Sequence, residues 1–159
     1  MFKNIRLRQM KATDLQSVYE LVQNTIQVSY AGVYPPDAIE FFKNYHSKEN
    51  ILKDLMASYI VVAEFDGQIL GTGTLLGTNV RRVFINPQHQ RHGIGKIIAE
   101  KLESKAKANG LVKMDLSASL KSRRFWEALG FISTGEFVLP VANDQKLIFY
   151  EMIKMLKTS

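Results

Sequence analysis

The chain has 159 residues, 46% of them apolar and 23% charged, a balance that predicts one globular domain over residues 1–159 and excludes collagen, coiled coil and disorder. It has no cysteine, which removes disulfide scaffolds, thiolate nucleophiles, zinc ribbons and iron–sulfur clusters. Lys plus Arg exceed Asp plus Glu by 21 to 15, and the net charge of +6 favours anionic partners.

The start, Met1-Phe-Lys-Asn-Ile-Arg-Leu-Arg, has no apolar run long enough for a signal peptide or a membrane span, so a cytoplasmic protein is expected. Ile5 to Arg8 reads as a first strand. Thr13 follows as the N-cap of a helix whose face carries Leu15, Val18, Leu21 and Val22. Pro36 can start a second helix over 38–45, and a third is expected from about Lys48 to Ala57. Tyr59 to Phe65 is rich in β formers, and Asp66-Gly67 then predicts a type I′ hairpin into Gln68-Ile-Leu-Gly-Thr-Gly-Thr-Leu-Leu. Asn79 to Asn86 gives a further strand stopped by Pro87. Helical spacing returns at Ile94, Ile97, Ile98, Leu102 and Ala106, and Asn109-Gly110 ends it. A strand over 111–116, a helix from Ser119 to Leu129 stopped by Gly130, and strands from Phe131 to Leu139 and Leu147 to Leu156 complete the order. Such an order gives an α/β fold with a mixed central sheet flanked by helices, and the hairpin excludes a purely parallel sheet.

The most informative segment is Val83-Phe-Ile-Asn-Pro-Gln-His-Gln-Arg-His-Gly-Ile-Gly-Lys, where a strand leads through a glycine turn into a helix. A helix start leaves backbone N–H groups unpaired at the positive end of its dipole, and glycines let phosphate oxygens reach them. A P-loop would need Gly at 90 and Ser or Thr after Lys96, where Gln90 and Ile97 stand. A dinucleotide fingerprint from Gly93 would need glycine at 98, where Ile98 stands. The remaining pattern, Gln90-x-x-Gly93-x-Gly95, together with Phe125-Trp-Glu-Ala-Leu-Gly130-Phe131 after the next strand, resembles the acyl-CoA motif of the GNAT superfamily, the GCN5-related N-acetyltransferases.

The resemblance implies a GNAT fold, with a mostly antiparallel sheet, and acetyl-CoA as the acyl donor for an amine acceptor. It further implies that main-chain groups of Val83, Phe84 and Ile85 pair with the pantetheine arm as an added strand would. Gln90 and the run Arg91, His92, Gly93, Ile94, Gly95 and Lys96 would hold the pyrophosphate. Ser119 stands where the family often has a coenzyme A-binding asparagine, and Trp126 where it often has a proton-donating tyrosine. An indole cannot act as an acid, so Trp126 is expected to pack, and the hydroxyls of Tyr30, Tyr34 and Tyr150 become the candidate proton donors. Arg81 occupies the position of a frequent glutamate base, leaving Glu64, Asp115, Glu151 and His46 as candidates for that role. The Ile85 N–H is the candidate oxyanion donor.

The expected reaction is acetyl transfer to a primary amine of a small molecule or peptide by direct attack. The alternative is an acyl-CoA-binding module without turnover, motivated by Trp126 and Arg81. No metal is expected, because three scattered histidines lack carboxylates at matching spacing. No nucleic acid and no membrane partner is expected, and the chain should work as a monomer or homodimer.

Overall fold

The computed structural model describes residues 4–157. Strand β1 (Arg6–Gln9) leads through a 3-10 turn at Ala12–Asp14 into α1 (Leu15–Tyr30), followed by α2 (Pro36–Tyr45) and α3 (Lys48–Ala57). Strands β2 (Tyr59–Phe65), β3 (Gln68–Leu76) and β4 (Asn79–Ile85) come next, then α4 (Ile94–Ala108), β5 (Lys113–Ser119), α5 (Arg123–Ala128), β6 (Ile132–Pro140) and β7 (Lys146–Met155). All seven strands form one sheet in the order β1-β2-β3-β4-β5-β7-β6. Every neighbouring pair is antiparallel except β4 with β5.

Two helical layers cover the sheet. Ile94, Ile98, Leu102 and Ala106 of α4 recur at helical spacing and pack, with Trp126 and Phe131, on one face against Val61, Ala63, Leu116 and Met152. Val18, Val22 and Ile26 of α1 and Ala38, Ile39 and Ile51 of α2 and α3 cover the other face over Ile60, Val62 and Phe84. The hairpin turn is as the sequence predicts: Asp66 (φ 51°) and Gly67 (φ 78°) both take the left-handed region that a type I′ turn requires.

Two local expectations are corrected. Thr13 does not cap α1, because the 3-10 turn intervenes and Asp14 accepts the Lys11 N–H there at 2.8 Å. The helix expected from Ser119 is shortened to Arg123–Ala128, because Ser119 remains the last residue of β5 and exchanges hydrogen bonds with Ser122 across a turn.

The sheet approaches α4 closely because β3 carries Gly71 and Gly73. A β carbon at Gly73 would stand 2.5 Å from Ile98 Cγ2 and 3.2 Å from Leu102 Cδ1, and both side chains are fully buried. Gly73→Ala should therefore cost about 1–3 kcal/mol by overpacking. The Gly73→Ala/Ile98→Ala double variant should be less destabilised than the sum of the singles in urea titrations. Additive losses would show that α4 does not rest on Gly73.

Candidate functional site

The parallel pair β4 and β5 is joined at a single register position, Asn79 with Asp115. The joint is tied by Asp115 N–H to the Thr78 carbonyl at 2.9 Å, and by Thr78 Oγ1 (2.6 Å) and Asn79 Nδ2 (2.9 Å) donating to the Asp115 carboxylate. Beyond it the strands diverge, and a cavity of about 710 Å³ opens between them from one face of the sheet to the other. Val83, Phe84 and Ile85 line it from β4, Leu116, Ser117 and Ser119 from β5.

Asn86 N–H bonds the Leu70 carbonyl at 2.8 Å, so the alternation of an antiparallel ladder turns the N–H and C=O of Ile85 away from β3 and toward this gap. The carbonyl is taken up by Gln90 Nε2 (3.0 Å), with Thr25 Oγ1 3.4 Å away while its proton goes to the Leu21 carbonyl at 2.7 Å. Gln90 thus fastens the glycine loop to the end of β4, and its amide also reaches Ser29 Oγ at 3.4 Å.

At the far end of the gap, Gly93 (φ 83°) caps α4, and the first helical bond runs from Ile97 N–H to the Gly93 carbonyl at 3.1 Å. The N–H groups of Ile94, Gly95 and Lys96 therefore precede the ladder at the positive end of the helix. Arg91, Gly93, Ile94, Gly95 and Lys96 all line the cavity. His92 is exposed and lies outside the lining. Gly95 has a second duty: a β carbon there would meet the Phe125 ring at 3.2 Å, so its smallness also seats α5 on α4.

The three tyrosines separate. Tyr30 lines the cavity and hydrogen-bonds Ser119, while burial raises the pKa of its hydroxyl and keeps it protonated. Tyr34 lies outside the lining: its hydroxyl donates to the Ile148 carbonyl (3.0 Å) and accepts the Leu120 N–H (2.7 Å), tying the loop between α1 and α2 to β7 and to the turn after β5. Burial pushes its pKa to about 12. Tyr150 also lies outside the lining, with the Arg123 guanidinium 4.2 Å above its ring. Trp126 is a core residue, edge-on to Phe125 and Phe131 at 4.9 and 5.3 Å.

Of the base candidates, Glu64 is paired with Arg8, Asp115 holds the β4–β5 joint, and Glu151 accepts from Ser117. His46 lines the cavity, but its Nδ1 accepts from Arg82 Nε at 3.0 Å, which leaves the ring proton on Nε2 and no lone pair facing the cavity. Arg82 also donates to Asp54 Oδ2 at 2.7 Å, completing a buried His46–Arg82–Asp54 cluster. A β-bulge makes this cluster. The register shifts between Thr72 and Thr74, Arg82 takes φ 52°, and Arg81 and Arg82 both come to the α2–α3 face within 4.0 Å of Asp54. Asp54, Thr25 and Ser29 were not singled out from sequence. Thr25 and Ser29 left a legible signal, two polar residues four apart on an otherwise apolar helix face.

Among the described residues no helix is long and apolar enough to cross a membrane. Residues 30–154 match the family described as the acetyltransferase (GNAT) domain, and the chain belongs to that family. It is an acyl-CoA-dependent N-acetyltransferase. A spermidine N(1)-acetyltransferase of Thermoplasma acidophilum is 24% identical over 127 residues, covering 71% of this chain and 77% of that protein. The crystal structure of a GCN5-related N-acetyltransferase from Rhodopseudomonas palustris shares the fold with a TM-score of 0.89 at 18% identity, over 98% of both chains. That of the PaiA N-acetyltransferase of T. acidophilum, in complex with coenzyme A, does so with 0.74 at 19% identity, over 96% of this chain and 99% of the other.

The buried cluster has a pH signature. Burial, then the charges of Arg82 and Arg81, lower the His46 pKa from 6.5 to about 3. Protons therefore prefer the unfolded chain, and the stability is full above about pH 6.5 and is lost as pH falls toward 3. The slope should approach about 1.4 kcal/mol per pH unit. His46→Asn, which keeps an acceptor for Arg82, should flatten urea-derived stability between pH 6.5 and 4.5. The depressed carboxylates Asp14 and Glu64, both held down by Arg8, add slope only below that window. An unchanged slope in His46→Asn would show that His46 protonates freely in the fold.

Proposed function

We propose that the chain acetylates a primary amine of a small molecule or peptide by direct attack on acetyl-CoA, with the splayed β4–β5 gap as the donor's seat. The observation that carries this reading is that one continuous cavity joins the unladdered β4 edge to the N-terminus of α4. The helix-start N–H groups of Ile94, Gly95 and Lys96, with the Arg91 and Lys96 side chains, fit a pyrophosphate. The main-chain groups of Val83 and the N–H of Ile85 fit the pantetheine arm and its thioester, those of Phe84 face Thr72 of β3, and Gln90 acts by fixing the loop to Ile85.

In the transfer, the amine lone pair attacks the thioester carbonyl carbon, the C–S bond breaks with its electron pair on sulfur, and the proton lost by nitrogen passes through water to the thiolate. The Ile85 N–H is placed to hold the oxyanion. Tyr30, kept protonated and beside Ser119, is the hydroxyl that supplies a hydrogen bond to the departing sulfur. No Asp or Glu side chain lines the cavity among the described residues. Positioning then supplies most of the acceleration. The spermidine acceptor of the Thermoplasma relative is a polycation that needs carboxylates, and this lining favours another acceptor.

Coenzyme A release measured over an amine panel tests the reading. Tyr30→Phe should lower kcat by about tenfold or more. Trp126→Phe should cost about 1–3 kcal/mol of stability while leaving kcat near the parent value. The reverse pattern, a large loss in Trp126→Phe alone with its fold intact, would give the indole the chemical role and overturn the assignment of Tyr30.

A further inference from the structure

The cavity holds a cation that the donor's phosphates do not account for. Arg81 lies four residues before Ile85 on β4, at most about 13 Å at a strand rise of ~3.3 Å per residue and less across the bulge at Arg82, and the phosphate-facing loop lies beyond Ile85. Arg81 and Arg82 share one carboxylate, and they share it unequally. Arg82, its side chain 3% exposed, spends Nη1 on Asp54 and Nε on His46. Arg81, 30% exposed, gives Nε to Asn79 Oδ1 at 2.8 Å and leaves Nη1 4.0 Å from an Asp54 oxygen already engaged by Arg82. The Arg81 guanidinium is therefore held in orientation at one edge and lines the cavity with the other. The fork geometry of that edge matches a carboxylate.

The walls around it are apolar. Phe41 and Tyr45 of α2 stack at 6.3 Å and are 38% and 48% exposed, and Leu139 of β6, 37% exposed, faces the same cavity with Phe149 of β7. Large exposed side chains gathered at a cavity mouth mark a surface meant to be covered. Arg81 supplies charged orientation beside the buried cluster, because His46 and Arg82 are committed to each other.

We propose that the acceptor is an amino carboxylate with an apolar or aromatic body, its carboxylate on Arg81 and its body between α2 and the β6–β7 hairpin. This rests on the acetyl-transfer reading above. Arg81 stands two residues before Val83, so one small molecule spans the guanidinium and the β4 segment that seats the thioester. The carboxylate takes no part in the bond changes: nitrogen gains the acetyl group and loses one proton, sulfur leaves and gains one. Pairing with the carboxylate orients the amine and excludes amines that bring further positive charge.

The test is coenzyme A release at saturating acetyl-CoA with phenylalanine, leucine and methionine, with the amides of the same three, and with spermidine. At least one acid should exceed its own amide in kcat/KM by about 10- to 100-fold, the loss expected for a charged hydrogen-bond partner. Arg81→Gln should remove that preference chiefly through KM, leaving the amide within about threefold, and Arg81→Lys should restore part of it. Melting curves with and without acetyl-CoA check that each variant folds and keeps the donor site. Faster turnover of the amides or of spermidine, or an equal loss for acid and amide in Arg81→Gln, overturns the acceptor class and leaves acetyl transfer standing. Release with none of the amines overturns both.

Discussion

The structure depends on two parallel strands that touch once and then part. Asn79 and Asp115 form the joint, and the carboxylate of Asp115, held by Thr78 and Asn79, keeps it closed. Beyond it, backbone groups that a continuous sheet would pair across β4 and β5 line a cavity instead. Buried backbone polar groups are costly to leave without partners, so such a gap is stable only if side chains or a ligand satisfy it. The Ile85 carbonyl shows the first solution, since Gln90 donates to it. The Ile85 N–H faces the same gap and awaits the second.

The charges are arranged around this gap with the same economy. One end presents the positive terminus of α4 with Arg91 and Lys96, the other presents Arg81. Between them Arg82 is neutralised by Asp54 and locked by an uncharged His46. The bulge at Arg82 makes both arginines face α2 and α3, where plain alternation would send one of them under α4. A single inserted residue therefore decides the electrostatic character of the acceptor side.

Much of this was legible in the sequence, and the reasons are local. Asp66-Gly67 demands a type I′ turn, Gly93 and Gly95 open a helix after a strand, and the apolar spacing from Ile94 to Ala106 fixes the buried face of α4. What escaped depends on contacts distant in the chain. Nothing near Arg82 announces a bulge, because the cause is a register shift against Thr72 and Thr74. Tyr30 and Tyr34 read alike as hydroxyls in one segment, and only the contact of the α1–α2 loop with Ile148 and Leu120 consumes the second while leaving the first on the cavity. Ser119 looks like a helix cap since serine favours that position, yet its partner Ser122 draws it into a turn that lets β5 run on.

The most direct test of the account is amide hydrogen exchange at the end of β4, measured with and without acetyl-CoA. The thioester carbonyl of an arm laid along the β4 edge accepts from the Ile85 N–H, so exchange at that amide should slow on binding, together with the amides of residues 94–96. Protection confined to residues 94–96, with Ile85 unchanged, would contradict the claim that the splayed strand is the donor's seat.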